Sequence, residues 1–304
     1  MNVLLCAIAA WVLVRNFHES KPNGPRRSID WAGASALAVG AALVILGLLE
    51  GGQAWAWTST TSIAIFTAGA VLFVLFVVIE TRVPEPILPI WVLTRRVLIT
   101  TSAVSCLVGA VVLGLTSYVP SFVQGSLGTT ALVAGFTLAA MTLGWPVAAS
   151  QSGRLYLRLG FRTTGLIGAV PLLTGTALLT QTGPDSTPWQ VAGCCVVIGL
   201  GMGLIASPSL IAAQSSVEWS ERGVVTGANA FARSIGSAVG VAVFGALANA
   251  ALTRSGVVDG ATPDAGQLAS SVSPVFTAVL VCALVLSACV ALIPNRPGQE
   301  RRRS

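Results

Sequence analysis

The sequence predicts an all-α polytopic membrane protein with about eight transmembrane helices, preceded by a shorter apolar helix. Apolar residues make up 54% of the 304-residue chain and charged residues only 9%, whereas about a quarter of a soluble domain is charged. The mean hydropathy of +0.82 agrees with a membrane protein. Apolar runs of about twenty residues, the length that crosses a bilayer as a helix, also recur along the chain. Strands of a transmembrane barrel would be about half as long and would alternate polar with apolar residues.

The eight predicted spans are separated by polar or turn-rich connections. They are residues 31–50, 61–80, 98–122, 131–150, 163–180, 189–212, 225–250 and 273–293. Each run is long enough to cross the hydrocarbon once, so the chain is expected to cross the membrane eight times after residue 30.

The first apolar run, residues 4–14, is too short to cross a bilayer. Basic residues follow this run, whereas those of a signal peptide precede its apolar region. Residues 1–30 are therefore expected to be the end of a truncated transmembrane helix followed by a cytoplasmic linker.

The basic residues predict the orientation of the chain. All but two of the 17 lysines and arginines lie in alternate connections or in the tail at 296–304. The exceptions are Arg254, on the other side, and Arg233, within a span. Because cytoplasmic loops are enriched in lysine and arginine, we expect a multi-pass protein of the plasma membrane with a cytoplasmic basic tail and C-terminus.

Composition and residue placement argue against several functions. All six cysteines fall inside apolar runs without zinc-like spacing, and His18 is the only histidine. No nucleophile–base set or paired-carboxylate site is visible, so neither an enzyme, a metal site nor a cofactor is expected. The net charge of +6 is spread over the loops, which fits membrane topology better than nucleic-acid binding.

The segment 153–162 is the most informative connection, with sequence GRLYLRLGFR. Its arginines are Arg154, Arg158 and Arg162. Three arginines cannot lie in lipid, so the segment is expected at the cytoplasmic surface, between the fourth and fifth spans.

A few polar or irregular positions within the spans are candidates for a translocation path. They are Glu50, Trp145, Pro146, Asn229 and Arg233. Glu50 either reaches the interface from its span end or takes part in proton coupling. Arg233 either faces a cavity and meets an anionic group or extends to the cytoplasmic face. The Trp–Pro pair either shapes the path or is a packing irregularity.

Glycines with small-xxx-small spacing are expected to let neighbouring helices pack closely. They are Gly199, Gly203, Gly236 and Gly240. This role concerns helix packing and not chemistry.

Three segments, in order and spacing, resemble the C-terminal part of a major facilitator superfamily transporter, in particular the fourteen-span drug:proton antiporters. They are the segment 153–162, the span GLGMGLIASPSL with the following VEWSERG, and the span GANAFARSIGSAVGVAVFG. The resemblance extends over nearly the whole chain.

In that family the loop between the second and third helices of a bundle resembles G-x-L-x-D-R-x-G-R-K. The matching positions here are Gly153, Leu155, Arg158, Gly160 and Arg162. Leu157 stands at the acidic position and Phe161 at a basic one. The resemblance implies a conformational loop, and the missing acid implies the second-half copy of the repeat, without the acid-dependent latch.

The resemblance further implies a division of the chain. Residues 31–80 would be two extra central helices, and 97–295 the six-helix C-terminal bundle of a major facilitator fold. It implies an efflux permease of hydrophobic or cationic small molecules, coupled to protons and completed by a missing N-terminal half. This reading makes the chain a truncated or split-gene portion. The alternative is a non-transporting membrane module or partner subunit that pairs with another half.

Overall fold

The computed structural model describes residues 2–16, 30–52, 54–83, 90–254 and 264–294, and its long elements are all α-helices. The helices are α1 (Asn2–Asn16), α2 (Trp31–Glu50), α3 (Thr60–Glu80), α4 (Arg96–Gly125), α5 (Ala131–Leu159), α6 (Phe161–Leu179), α7 (Pro188–Ser215), α8 (Arg222–Arg254) and α9 (Ala265–Ala291). Short 3-10 turns, Ile90–Leu93 and Trp219–Glu221, precede α4 and α8. The predicted linker beyond residue 16 and the basic tail at 296–304 lie outside the described residues.

The prediction of an all-α polytopic membrane protein is confirmed. Each predicted span corresponds to one of the helices α2 to α9, and seven of these are long and apolar enough to cross a membrane. Helix α6, with 19 residues, is not among the seven. It contains Arg162 and several threonines, which lower its mean hydropathy. Helix α1 has 15 residues and rises about 21 Å. It is therefore shorter than the hydrocarbon layer, which is about 30 Å thick.

Side-chain caps explain where several helices begin. Asp30, Ser59, Thr130 and Thr187 each accept a hydrogen bond from the backbone N–H three residues further on. These bonds satisfy amide groups that a helix leaves free at its start. The caps therefore fix the first turns of α2, α3, α5 and α7.

Helices α4 and α7 form the centre of a six-helix bundle. Of the seven candidate spans, these two have the largest share of buried residues in their apolar stretch, 56% in α4 and 61% in α7. Helix α4 contacts α5, α7, α8 and α9, while α7 contacts α4, α5, α6 and α8. The core between them is built from buried aliphatic side chains and Phe122, Phe244 and Phe276.

The bundle contains an internal repeat. Helices α4, α5 and α6 of the first unit correspond to α7, α8 and α9 of the second. The contact between α4 and α8 then corresponds to the contact between α7 and α5. In the same way, the contact between α4 and α9 corresponds to that between α7 and α6. Each unit contains three consecutive helices, so the second unit starts at the end of the bundle opposite the start of the first. Inverted repeats of this kind are typical of secondary transporters.

The hairpin of α2 and α3 lies at the edge of the bundle. Its two helices pack against each other, and α2 also contacts α8. Gly40 of α2 lies against Leu72 of α3, and Gly69 of α3 lies against Val44 of α2. Apolar side chains of α3 such as Ile63, at 60% exposure, face outward, as expected for a helix in contact with lipid.

The expected loop at 153–162 is instead almost entirely helical, which corrects the sequence prediction. Helix α5 continues through Leu159 and α6 begins at Phe161, so only Gly160 lies between them. Gly160 has φ 88° and ψ 166°, a conformation essentially confined to glycine. The arginines ended the apolar pattern but not the helix, because arginine and leucine are both good helix formers.

Candidate functional site

Helices α4 and α8 cross at a seam of small residues. A Cβ on Gly236 would overlap the carbonyl oxygen of Cys106 and lie 2.8 Å from the Cα of Cys106. A Cβ on Gly240 would lie 2.8 Å from the Cα of Ala110. The two predicted packing glycines therefore lie where two backbones touch, and only glycine fits there.

The second crossing, of α5 with α7, is built in the same way. A Cβ on Gly199 would overlap the carbonyl oxygen of Met141, and one on Gly203 would overlap that of Trp145. On the facing helix, a Cβ on Gly144 of α5 would likewise meet the backbone of Val196 of α7. The repeat thus places equivalent glycine crossings on both sides of the bundle centre.

Arg233 lies near mid-depth of the bundle, beside the first crossing. Its carbonyl oxygen lies against Gly109, which is about 20 Å along α4 from Arg96. This position is close to the middle of the 30-residue helix. Arg233 itself lies about 16 Å along α8 from Arg222, because α8 begins earlier than the predicted span.

The guanidinium of Arg233 has no polar partner among the described residues. The side chain is half-buried, and its Nε atom is buried without a hydrogen bond. The acidic residues in the described ranges lie at helix ends or in connections, such as Glu50, Glu80 and Glu218. A cation at this depth is costly in lipid and marks a functional position by default.

Asn229, one turn before Arg233, is buried in the same seam. Its Oδ1 accepts a hydrogen bond of 2.7 Å from the Ser105 hydroxyl, and its Nδ2 donates to the Val225 carbonyl. With 2% of its surface exposed, Asn229 ties α8 to α4. The role of Ser105 could not be predicted from the sequence, since its partner is 124 residues away in the chain.

The remaining predicted path residues lie apart. Trp145 is half-buried and packs against the core, whereas Pro146 is exposed within α5. Glu50 is exposed at the last residue of α2, at the end of the bundle opposite the arginine-rich connections. Glu50 and Arg233 are therefore at different depths.

A cavity of about 360 Å³ lies between the C-terminal parts of α2, α4 and α8. Its polar lining includes Trp57, Tyr118 and Asn249, and Gly51 and Gly245 are among its small residues. The volume is at the lower end of the range for small-molecule sites. No local sequence pattern predicts this cavity, because its walls come from three separate helices and the α2–α3 connection.

The arginine segment lies at the other end of the bundle, at the junction of α5 and α6. Arg154, Arg158 and Arg162 are exposed, while Gly153 and Leu155 are half-buried. No group of His, Cys, Asp or Glu in the described ranges could hold a metal ion.

A helical bundle with an inverted repeat, two glycine crossings and a charge at mid-depth defines a membrane protein of the secondary-transporter type. The family model of the Major Facilitator Superfamily matches residues 2–241. The chain belongs to this superfamily, as the resemblance predicted.

Similar proteins include transport and resistance proteins of two bacteria. Multidrug resistance protein 3 of Bacillus subtilis (strain 168) is 30% identical over 247 residues, covering 81% of this chain and 48% of that protein. Multidrug transporter protein MdtP of the same organism is 29% identical over 256 residues, covering 84% and 47%. A tetracycline resistance determinant of Streptomyces rimosus is 30% identical over 217 residues, covering 71% and 62%. The chain spans about half the length of the two Bacillus relatives.

Proposed function

We propose that this chain forms one bundle of a transporter that exports hydrophobic or cationic small molecules, and that it is not an enzyme. The observation that carries the proposal is the similarity to multidrug resistance protein 3 over 81% of the chain. The two glycine crossings support it. Because glycines bring the backbones into direct contact at these crossings, α8 and α5 can pivot against α4 and α7 without a change of side-chain rotamer.

Export of this kind needs a second bundle. Transporters with inverted repeats place the substrate near the midplane between two such units. We infer that the α4–α8 and α5–α7 crossings face a second six-helix bundle, supplied by a further segment or by a partner chain. The substrate cavity then forms between the two bundles.

Among the described residues, Arg233 is the charged group at midplane depth. In the proposed cycle it holds a counter-charge in one state of the transporter and releases it in the other. Export is coupled to proton entry, with carboxylates of the second bundle or Glu50 carrying the proton. The absence of a described partner for its guanidinium supports this role.

The proposed orientation places the arginine-rich connections and the C-terminus in the cytoplasm, with the protein in the plasma membrane. The positive-inside bias supports it. A fluorescent protein that folds only in the cytoplasm, fused after Ser304, should be bright. A dark fusion at full expression, together with periplasmic alkaline phosphatase activity, would reverse the orientation.

Export is tested by deleting the gene that encodes this chain and following ethidium in energised cells. We expect the deletion strain to accumulate more ethidium, the intact gene to restore extrusion, and a protonophore to abolish the difference. The Arg233→Gln variant should restore little. Equal accumulation of ethidium and of several uncharged dyes in both strains would refute export of such compounds.

A further inference from the structure

The junction of α5 and α6 presents three arginines without counter-ions. Arg154, Arg158 and Arg162 are exposed, and none of them pairs with a carboxylate among the described residues. Leu157 lies between them with 78% of its surface exposed. A carboxylate at this position would neutralise part of the cluster, but leucine cannot.

The position of these arginines along α5 places them at headgroup level. Large apolar side chains of α5 are exposed from Leu132 to Val147, and Arg154 lies about 10 Å beyond Val147 along the helix. The Cα–Cβ bonds of a helix tilt toward its N-terminus. The side chains of Arg154 and Arg158 therefore lean back toward the bilayer surface.

The turn at Gly160 keeps Arg162 close to the end of α5. The ring of Tyr156 stacks on that of Phe161, with centroids 4.9 Å apart and planes at 16°. Phe161 precedes Arg162 directly, so the stacked rings hold the first turn of α6 beside the last turns of α5. Arg162 thus lies near the end of α5 that carries Arg158.

We propose that Arg154, Arg158 and Arg162 form a binding site for the phosphate of an anionic phospholipid headgroup, with Leu157 leaving these arginines without a neighbouring carboxylate. Guanidinium groups bind phosphate oxygens through paired, charge-assisted hydrogen bonds. Basic residues at a membrane surface attract anionic lipid. The site is independent of whether the transporter exports drugs, since it needs only the membrane-embedded bundle.

The test uses the purified full chain in neutral detergent micelles at low salt. Dioctanoyl phosphatidylglycerol is titrated in, and bound lipid is counted by native mass spectrometry. Dioctanoyl phosphatidylcholine reports headgroup selectivity, and inorganic phosphate reports capture of a free anion. Circular dichroism of each variant confirms that the helices are intact.

We expect phosphatidylglycerol to bind more tightly than phosphatidylcholine, and Arg158→Gln to weaken it about five-fold. Leu157→Asp should weaken it at least as much, because the new carboxylate pairs with Arg154 one turn earlier on the helix, whereas Leu157→Asn should not. The matched control is Arg254→Gln, which removes an exposed charge at the C-terminal end of α8, at the other end of the bundle from the three arginines. This variant should bind phosphatidylglycerol as the wild type does.

Three results would overturn the proposal. Equal binding of the two lipids would show no headgroup site, and an equal loss in Arg254→Gln would reduce the effect to net charge. Full displacement of phosphatidylglycerol by millimolar phosphate would assign the arginines to a free anion. Loss of binding in Arg158→Gln and Leu157→Asp alone supports the lipid site.

Discussion

Replacing Gly236 by alanine should force α4 and α8 apart at their crossing. The new Cβ would lie 2.8 Å from the Cα of Cys106 and closer still to its carbonyl oxygen. Carbon atoms in contact are about 3.5 Å apart, so the helices must separate by at least about 0.7 Å. Both contacts are backbone atoms, and no side-chain rotation can relieve them.

The expected cost is about 1–3 kcal/mol, as for other overpacked sites. A matched control lies on the same helix. A Cβ on Gly227 would meet nothing within 4 Å, so Gly227→Ala should be neutral or stabilise α8 by up to about 1 kcal/mol through helix propensity. The two glycine-to-alanine changes therefore have opposite expected signs.

The assay is thermal unfolding of the purified chain in detergent, followed by tryptophan fluorescence and by the monodisperse fraction remaining after heating. Gly236→Ala should lower the apparent melting temperature by several degrees, and Gly227→Ala should not lower it. The close crossing of α4 and α8 would be refuted if both variants had the melting temperature of the wild type, or if Gly227→Ala were less stable than Gly236→Ala.

Three further changes have defined outcomes. Asn229→Ala should cost about 1–2 kcal/mol of unfolding free energy, and a double-mutant cycle with Ser105→Ala should show coupling; additive losses would deny the bond. Gly160→Ala should cost about 1–3 kcal/mol because of its φ of 88°, whereas Gly153→Ala, at an open helical position, should not, and equal melting temperatures would contradict the strained turn. Arg233→Met should raise the melting temperature, since it removes an unpaired charge, while lowering ethidium extrusion; a lower melting temperature would show that the guanidinium stabilises the bundle.

The spans could be predicted from the sequence because apolar length reports hydrocarbon thickness directly. Helix ends could not, because a helix continues beyond the lipid. The run at 131–150 is apolar, yet α5 continues to Leu159. Leucine and arginine favour a helix in water as much as at the membrane surface, so polarity alone did not mark the turn at Gly160.

The site could be predicted only in part. The spacing of Gly236 and Gly240 indicated close helix packing, but their partners Cys106 and Ala110 lie more than a hundred residues earlier in the chain. The depth of Arg233 depended on where α8 begins. The chain before Arg222 forms a short 3-10 turn with a capping box of Glu218 and Glu221, and the apolar pattern did not reveal that the helix follows directly. The cavity beside Tyr118 needed three helices in place, and no local pattern encodes that.

The attachment of the α2–α3 hairpin has a consequence for how such a chain can change in evolution. A hairpin crosses the membrane an even number of times, so gaining or losing it preserves the sidedness of every later helix. It packs against the outer edge at α8 and not between α4 and α7, so the bundle centre does not depend on it. Parity and peripheral attachment together make these two helices a modular unit that can be acquired without rebuilding the six that follow.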